Sequence, residues 1–170
     1  MGNYRGYVTR PALDAFVSME KPIEIPHKGF QRKPNNNSYA EMRFPFYDKN
    51  GMTIPGWSML VQVKNITLDM CKEAYIVFYE TERGMDTVFR LDVTPKIIKS
   101  HNDREGKTGD MYGAHFHELD RIMSIAEDFD FECFEQKHRK DWLNFVATKL
   151  KITVIEPQID DLFGGWPWTA

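Results

Sequence analysis

The chain is short of most features that settle a protein's class at a glance. It has two cysteines in 170 residues, Cys71 and Cys133. They lie far apart in apolar surroundings and outside any short ligand spacing. That argues against a disulfide framework or a zinc finger and predicts a reducing cytoplasm with both thiols buried. No apolar run approaches the roughly 18 residues that a membrane-crossing helix needs, and the first residues carry no charged-then-apolar leader pattern. No membrane attachment is expected. A positive excess is missing too: 22 Lys and Arg stand against 25 Asp and Glu, for a net charge of −3. A broad basic face for nucleic acid is therefore not expected. No internal repeat marks a solenoid or a second domain.

What is present is globular material, 42% hydrophobic and 14% aromatic, enough for one domain with a sizeable core. Charge is uneven along it. Residues 1–40 hold six Lys/Arg against three Asp/Glu, and residues 101–170 hold eight against fourteen. A local basic patch of Arg5, Arg10, Lys28, Arg32 and Lys33 has two readings, a phosphate contact or a solvated surface, and the charge totals favour the second.

Periodicity predicts the elements in order. Thr9 as cap, Pro11 in the first turn and Leu13, Phe16 and Val17 on one face predict a helix over 9–19. Ile23 and Ile25 between Pro22 and Pro26 predict an edge strand or an extended cover, because proline has no N–H for a ladder. Residues 39–51 read as a strand ending at Asn50-Gly51, with Pro45 again pointing to an edge. Residues 56–65 read as its hairpin partner across a long loop. The span 74–93 is the strongest β signal, two Val-, Tyr- and Phe-rich runs around a turn near Arg83-Gly84, with 87–93 expected at the centre of the sheet. Ile122, Ile125 and Phe129 fall at helical spacings. Leu143, Val146 and Leu150 predict a helix over 136–150, and 152–156 returns to alternation that would close the sheet. The chain then reads as an α+β single domain over 1–162, a twisted, mainly antiparallel sheet of about six strands with the N-terminal and C-terminal helices on one face. A Gly- and Pro-broken tail, 163–170, carries Phe163, Trp166 and Trp168, which either dock on the domain or bind a partner.

The densest chemistry lies between Phe89 and Arg121. Strand alternation puts Arg90 and Asp92 on one face and Phe89, Leu91 and Val93 on the other, and it puts His115 and His117 on one face with Phe116 opposite. If the two strands pair, these four polar residues form one patch, roofed by a loop over 94–114 that carries His101. The pattern RLDV, SHND, a glycine and YGAHFHE resembles a family of small bacterial proteins, some from mobile or defence-related gene neighbourhoods. The resemblance rests on Arg90, Asp92, His101, Asn102, Gly106, Gly113, His115 and His117, and on Ile23, Ile25, Pro26 and Gly29 earlier in the chain. It implies a site without naming a reaction.

Three functions fit those residues. In the first, His101 with His115 or His117 supplies a general acid and base for RNA cleavage while Arg90 stabilises phosphate charge. In the second, His115, His117 and His101 hold a divalent metal with Asp92 or Glu118. In the third, which the residues favour, the histidines are structural, with Arg90 and Asp92 a cross-strand ion pair anchoring the long loop. The protein is then a cytoplasmic binding or inhibitory protein of antitoxin or anti-defence type, with a protein partner and RNA as the alternative.

Overall fold

A computed structural model describes residues 5–23, 30–33, 35–67, 70–95, 97–101, 110–124 and 136–154. Ile25, Pro26, Lys28, Gly29, Asn102, Gly106, Ile125, Phe129, Cys133 and the tail of Phe163, Trp166 and Trp168 lie outside those residues. The first helix, α1 (Arg10–Ser18), begins where the cap pattern predicts: the Thr9 hydroxyl accepts the Ala12 N–H at 3.4 Å, and Pro11 occupies the first turn. Its end is closed by a side chain. Lys21 Nζ donates to the carbonyls of Phe16 at 2.8 Å and Met19 at 2.7 Å, so the last turn's open acceptors are met by a buried ammonium.

Lys21 opens β1 (Lys21–Ile23). Eight further strands follow: β2 (Gln31–Lys33), β3 (Asn36–Tyr47), β4 (Thr53–Thr67), β5 (Met70–Thr81), β6 (Gly84–Val93), β7 (Lys99–His101), β8 (Met111–Tyr112) and β9 (His115–Glu118). After them come β10 (Arg121–Ser124), α2 (Gln136–Leu150) and β11 (Ile152–Val154). Seven strands form one antiparallel sheet in the order β10-β9-β6-β5-β4-β3-β2, so β5 rather than β6 is central.

Several expectations are corrected. The 152–154 run does not close this sheet. β11 pairs in parallel with β1 in a separate two-stranded unit, because Lys151 (φ 50) turns the chain back after α2 and Pro22 limits β1 to a short ladder. Residues 121–124 are strand, not helix: Leu119 (φ 55) makes a tight reversal that lays β10 against β9. The span 94–114 is not plain loop, since β7 and β8 pair within it. The first hairpin is tighter than expected, with β4 starting at Thr53. The Asp48 carboxylate accepts the N–H groups of Asn50 and Met52 at 2.8 and 2.9 Å, and Gly51 (φ 77) supplies the left-handed residue. Among the described residues β2 pairs only with the earlier part of β3, so no described strand flanks Pro45 on that side.

The core is asymmetric. Met59, Val61, Val77, Phe89, Leu91, Val93 and Phe116 from one side of the sheet share a cluster with Leu13 and Phe16 of α1 and with Trp142, Leu143, Val146 and Leu150 of α2. Alternation places Ala74, Ile76 and Phe78 on the other side, where they pack with Leu60. Beside the first cluster Asp86 is fully buried and accepts the backbone N–H groups of Arg5 and Tyr7, each at 2.6 Å, and of Val8 at 3.0 Å. It anchors the segment that leads into α1. Among the described residues no helix is long and apolar enough to cross a membrane.

Candidate functional site

Register, not loop geometry, assembles the polar cluster. β6 and β9 pair antiparallel with Leu91 opposite Phe116, so Arg90 falls opposite His117 and Asp92 opposite His115. Phe116 and Leu91 belong to the larger core cluster, and by the same alternation the four polar side chains share the other face. The patch expected from the period of two is therefore assembled on that face.

Its geometry centres on one carboxylate. Arg90 Nε donates to Asp92 Oδ2 at 2.7 Å and Nη2 donates to Oδ1 at 2.6 Å, a two-pronged ion pair between positions i and i+2 of the same strand. The expected cross-strand pair is thus an intrastrand one, because residues two apart on a strand emerge side by side. Asp92 Oδ2 also faces both imidazoles, 3.8 Å from His115 Nε2 and 3.7 Å from His117 Nε2. The two rings lie 4.9 Å apart, inclined at 65°. The His115 side chain is 2% exposed, against 24% for His117 and 18% for Asp92. The cluster thus has a shut end at His115 and a partly open one at His117 and Arg90.

Two expected members stand elsewhere. Glu118 shares the parity of Phe116, points away from the histidines, and is held by Arg10 in an ion pair, so it does not complete the cluster. His101 ends β7 opposite Met111, in a hairpin outside the main sheet, and its side chain falls outside the described part of the structure. The basic patch is also partly neutralised: Arg10 pairs with Glu118, and Lys33 pairs with Glu41 at 3.2 Å.

The arrangement permits two kinds of chemistry. One ligand atom from each of Asp92, His115 and His117 lies within 4.8 Å of the others, close enough to hold a metal ion. Alternatively, Arg90 and the outer ring of His117 can meet an anion. Sequence reasoning did not find Asp86 or Lys21, buried charges whose partners are backbone groups; no residue pattern announces such a partner. No family model, no curated protein and no solved structure matches the chain, so the site's geometry is what a functional reading has to work from.

Proposed function

We propose that this is a binding or inhibitory protein of a bacterial or mobile-element conflict system, of antitoxin or anti-defence type, acting in the cytoplasm by contact with another protein. The observation that supports this reading is the closure of the polar cluster at its inner end, where His115 is shut away and both Asp92 oxygens are engaged by Arg90. A general acid or base has to reach the group whose proton it moves, and His115 lies too deep to meet a large substrate. His115 and His117, side by side on one strand, also do not flank a phosphorus from opposite sides, which counts against that pair as the engine of RNA cleavage. The reading takes both helices to cover the Val77 and Leu91 face, and it assigns partner contact to the aromatic tail of Phe163, Trp166 and Trp168.

The test is co-purification from a bacterial host. The full chain should hold a partner in fixed ratio, and a chain ending at residue 162 should hold it more weakly. A folded His115→Ala/His117→Ala variant should keep both the partner and the biological effect. If that variant keeps the partner and loses the effect, the contact-only reading is wrong and the alternative, a small ribonuclease-like or metal-dependent enzyme, takes its place.

A second reading concerns the cluster itself. The convergence of Asp92, His115 and His117 favours a divalent-metal site, with His101 the next candidate donor. A metal there would fasten β9, and with it the β7–β8 hairpin that precedes it, to the body of the sheet.

A further inference from the structure

Asp92 presents an arrangement that goes further than ligand proximity. Its Oδ2 is the atom that faces both imidazoles, and that same atom accepts Arg90 Nε while Oδ1 accepts Nη2. A carboxylate oxygen has two lone pairs. With one directed at Nε, the other remains for an ion between the rings. The fork occupies Oδ1 as well, so the carboxylate is held from wrapping an ion with both oxygens.

We propose that Asp92, His115 and His117 form a site for an imidazole-preferring divalent transition metal, with Arg90 as the positioning residue that holds Asp92 in one-oxygen coordination. The inference rests on the metal reading of the cluster. Metal–ligand bonds of roughly 2.0–2.2 Å place neighbouring donor atoms about 3 Å apart. The Asp92–imidazole separations of 3.7 and 3.8 Å therefore close by less than about 1 Å, and the three donor atoms, all within 4.8 Å of one another, by less than about 2 Å, a side-chain adjustment with no shift of register. Two nitrogens and one carboxylate oxygen is the donor set of zinc and of iron(II), cobalt(II) or nickel(II), whereas calcium and magnesium need several oxygens. Arg90 adds a second bias against those hard ions, because its positive charge beside the lone oxygen is least tolerable where no strong nitrogen bonds offset it.

Arg90 could act on such a site in two opposed ways, and their signs differ. If it only neutralises Asp92, its removal strengthens metal binding. If it fixes the carboxylate's orientation, its removal weakens binding by roughly 10–100-fold, the usual effect of losing a residue that orients a ligand. The two short, parallel bonds favour the second.

The experiment uses the full chain stripped with chelator and titrated with cobalt(II), read by visible absorption, with zinc(II) as competitor. Circular dichroism checks the fold of each variant. The expected result is a cobalt spectrum displaced by zinc, unaffected by millimolar magnesium or calcium, lost in Asp92→Asn and in His117→Gln, and weakened 10–100-fold in Arg90→Gln. His117→Gln is the safer control because that ring is the more exposed of the two. A wild-type chain that binds neither cobalt nor zinc overturns the metal reading itself. A wild type that binds, with Arg90→Gln binding as well or better, leaves the metal site standing and overturns the positioning role. Displacement of cobalt by magnesium or calcium overturns the selectivity.

Discussion

Strand β6 carries two aspartates six residues apart, and they have opposite surroundings. Asp86 is wholly buried beside the larger core cluster and bonded to three backbone N–H groups. Asp92 lies on the other face, bonded to a guanidinium and flanked by two imidazoles. An even spacing should leave both on one face. The phase slips at Val88, where β6 carries an extra residue against β5: Thr87 stands opposite Phe78 but Phe89 stands opposite Val77. One bulge thus sends the two carboxylates in different directions. The contrast separates an acid satisfied by groups that cannot be exchanged from one satisfied by groups that can rearrange, and only the second kind can serve a ligand.

The largest effect should come from Asp86. Asp86→Ala removes a fully buried carboxylate and strands the N–H groups of Arg5, Tyr7 and Val8, the last of them buried, and breaking a buried, charge-assisted network costs about 3–5 kcal/mol. Urea unfolding should show a lower midpoint with an unchanged slope. Asp86→Asn, which keeps an acceptor, should recover part of the loss. A loss in Asp86→Ala no larger than that of an exposed substitution would mean that the N-terminal segment is not held by this residue.

That anchor was invisible beforehand, and the reason is physical. Asp86 reads as one more polar residue near a turn, because its partners are the main-chain amides of Arg5, Tyr7 and Val8, which no side-chain identity encodes. The Val88 bulge and the Leu119 reversal are hidden alike, since neither uses the glycine that would mark it. By contrast α2 was legible from the spacing of Leu143, Val146 and Leu150. The cluster was legible from the period of two on either side of Leu91 and Phe116, because one buried face dictates what the other carries. The β1–β11 pairing lay beyond reach, because three-residue strands hold too little pattern to name a partner.

Lys21 sharpens the comparison as a cationic counterpart of Asp86, a buried charge facing backbone carbonyls. Burial, reinforced by the charge of Lys151, lowers its pKa from 10.5 to about 8. In the unfolded chain the amine keeps its proton to higher pH. Between about 8 and 10.5 the unfolded state therefore binds more protons, and stability rises with pH across that window. Since the carbonyls offset part of the burial, a gain of roughly 2 kcal/mol is expected relative to Lys21→Met, which has no such group. The measurement is the stability difference between wild type and Lys21→Met at pH 7.5 and pH 10. A difference that stays flat would show that the carbonyls hold the ammonium as well as water does.

The smallest effect should belong to Asp92, and it tests the contrast most directly. Two of its partners, Arg90 and His117, are partly exposed, so Asp92→Asn should lower stability by about 1–2 kcal/mol, well below Asp86→Ala. A double-mutant cycle with Arg90→Gln should return a coupling of about 1 kcal/mol, since each single change already breaks the fork. If Asp92→Asn instead destabilises as much as Asp86→Ala, the cluster is a second structural anchor of the β6–β9 junction. A fixed anchor of that kind would count against ligand exchange at this carboxylate. A small loss with intact coupling leaves a carboxylate held firmly enough to be aimed and loosely enough to be shared, which is what the inferred metal site requires of it.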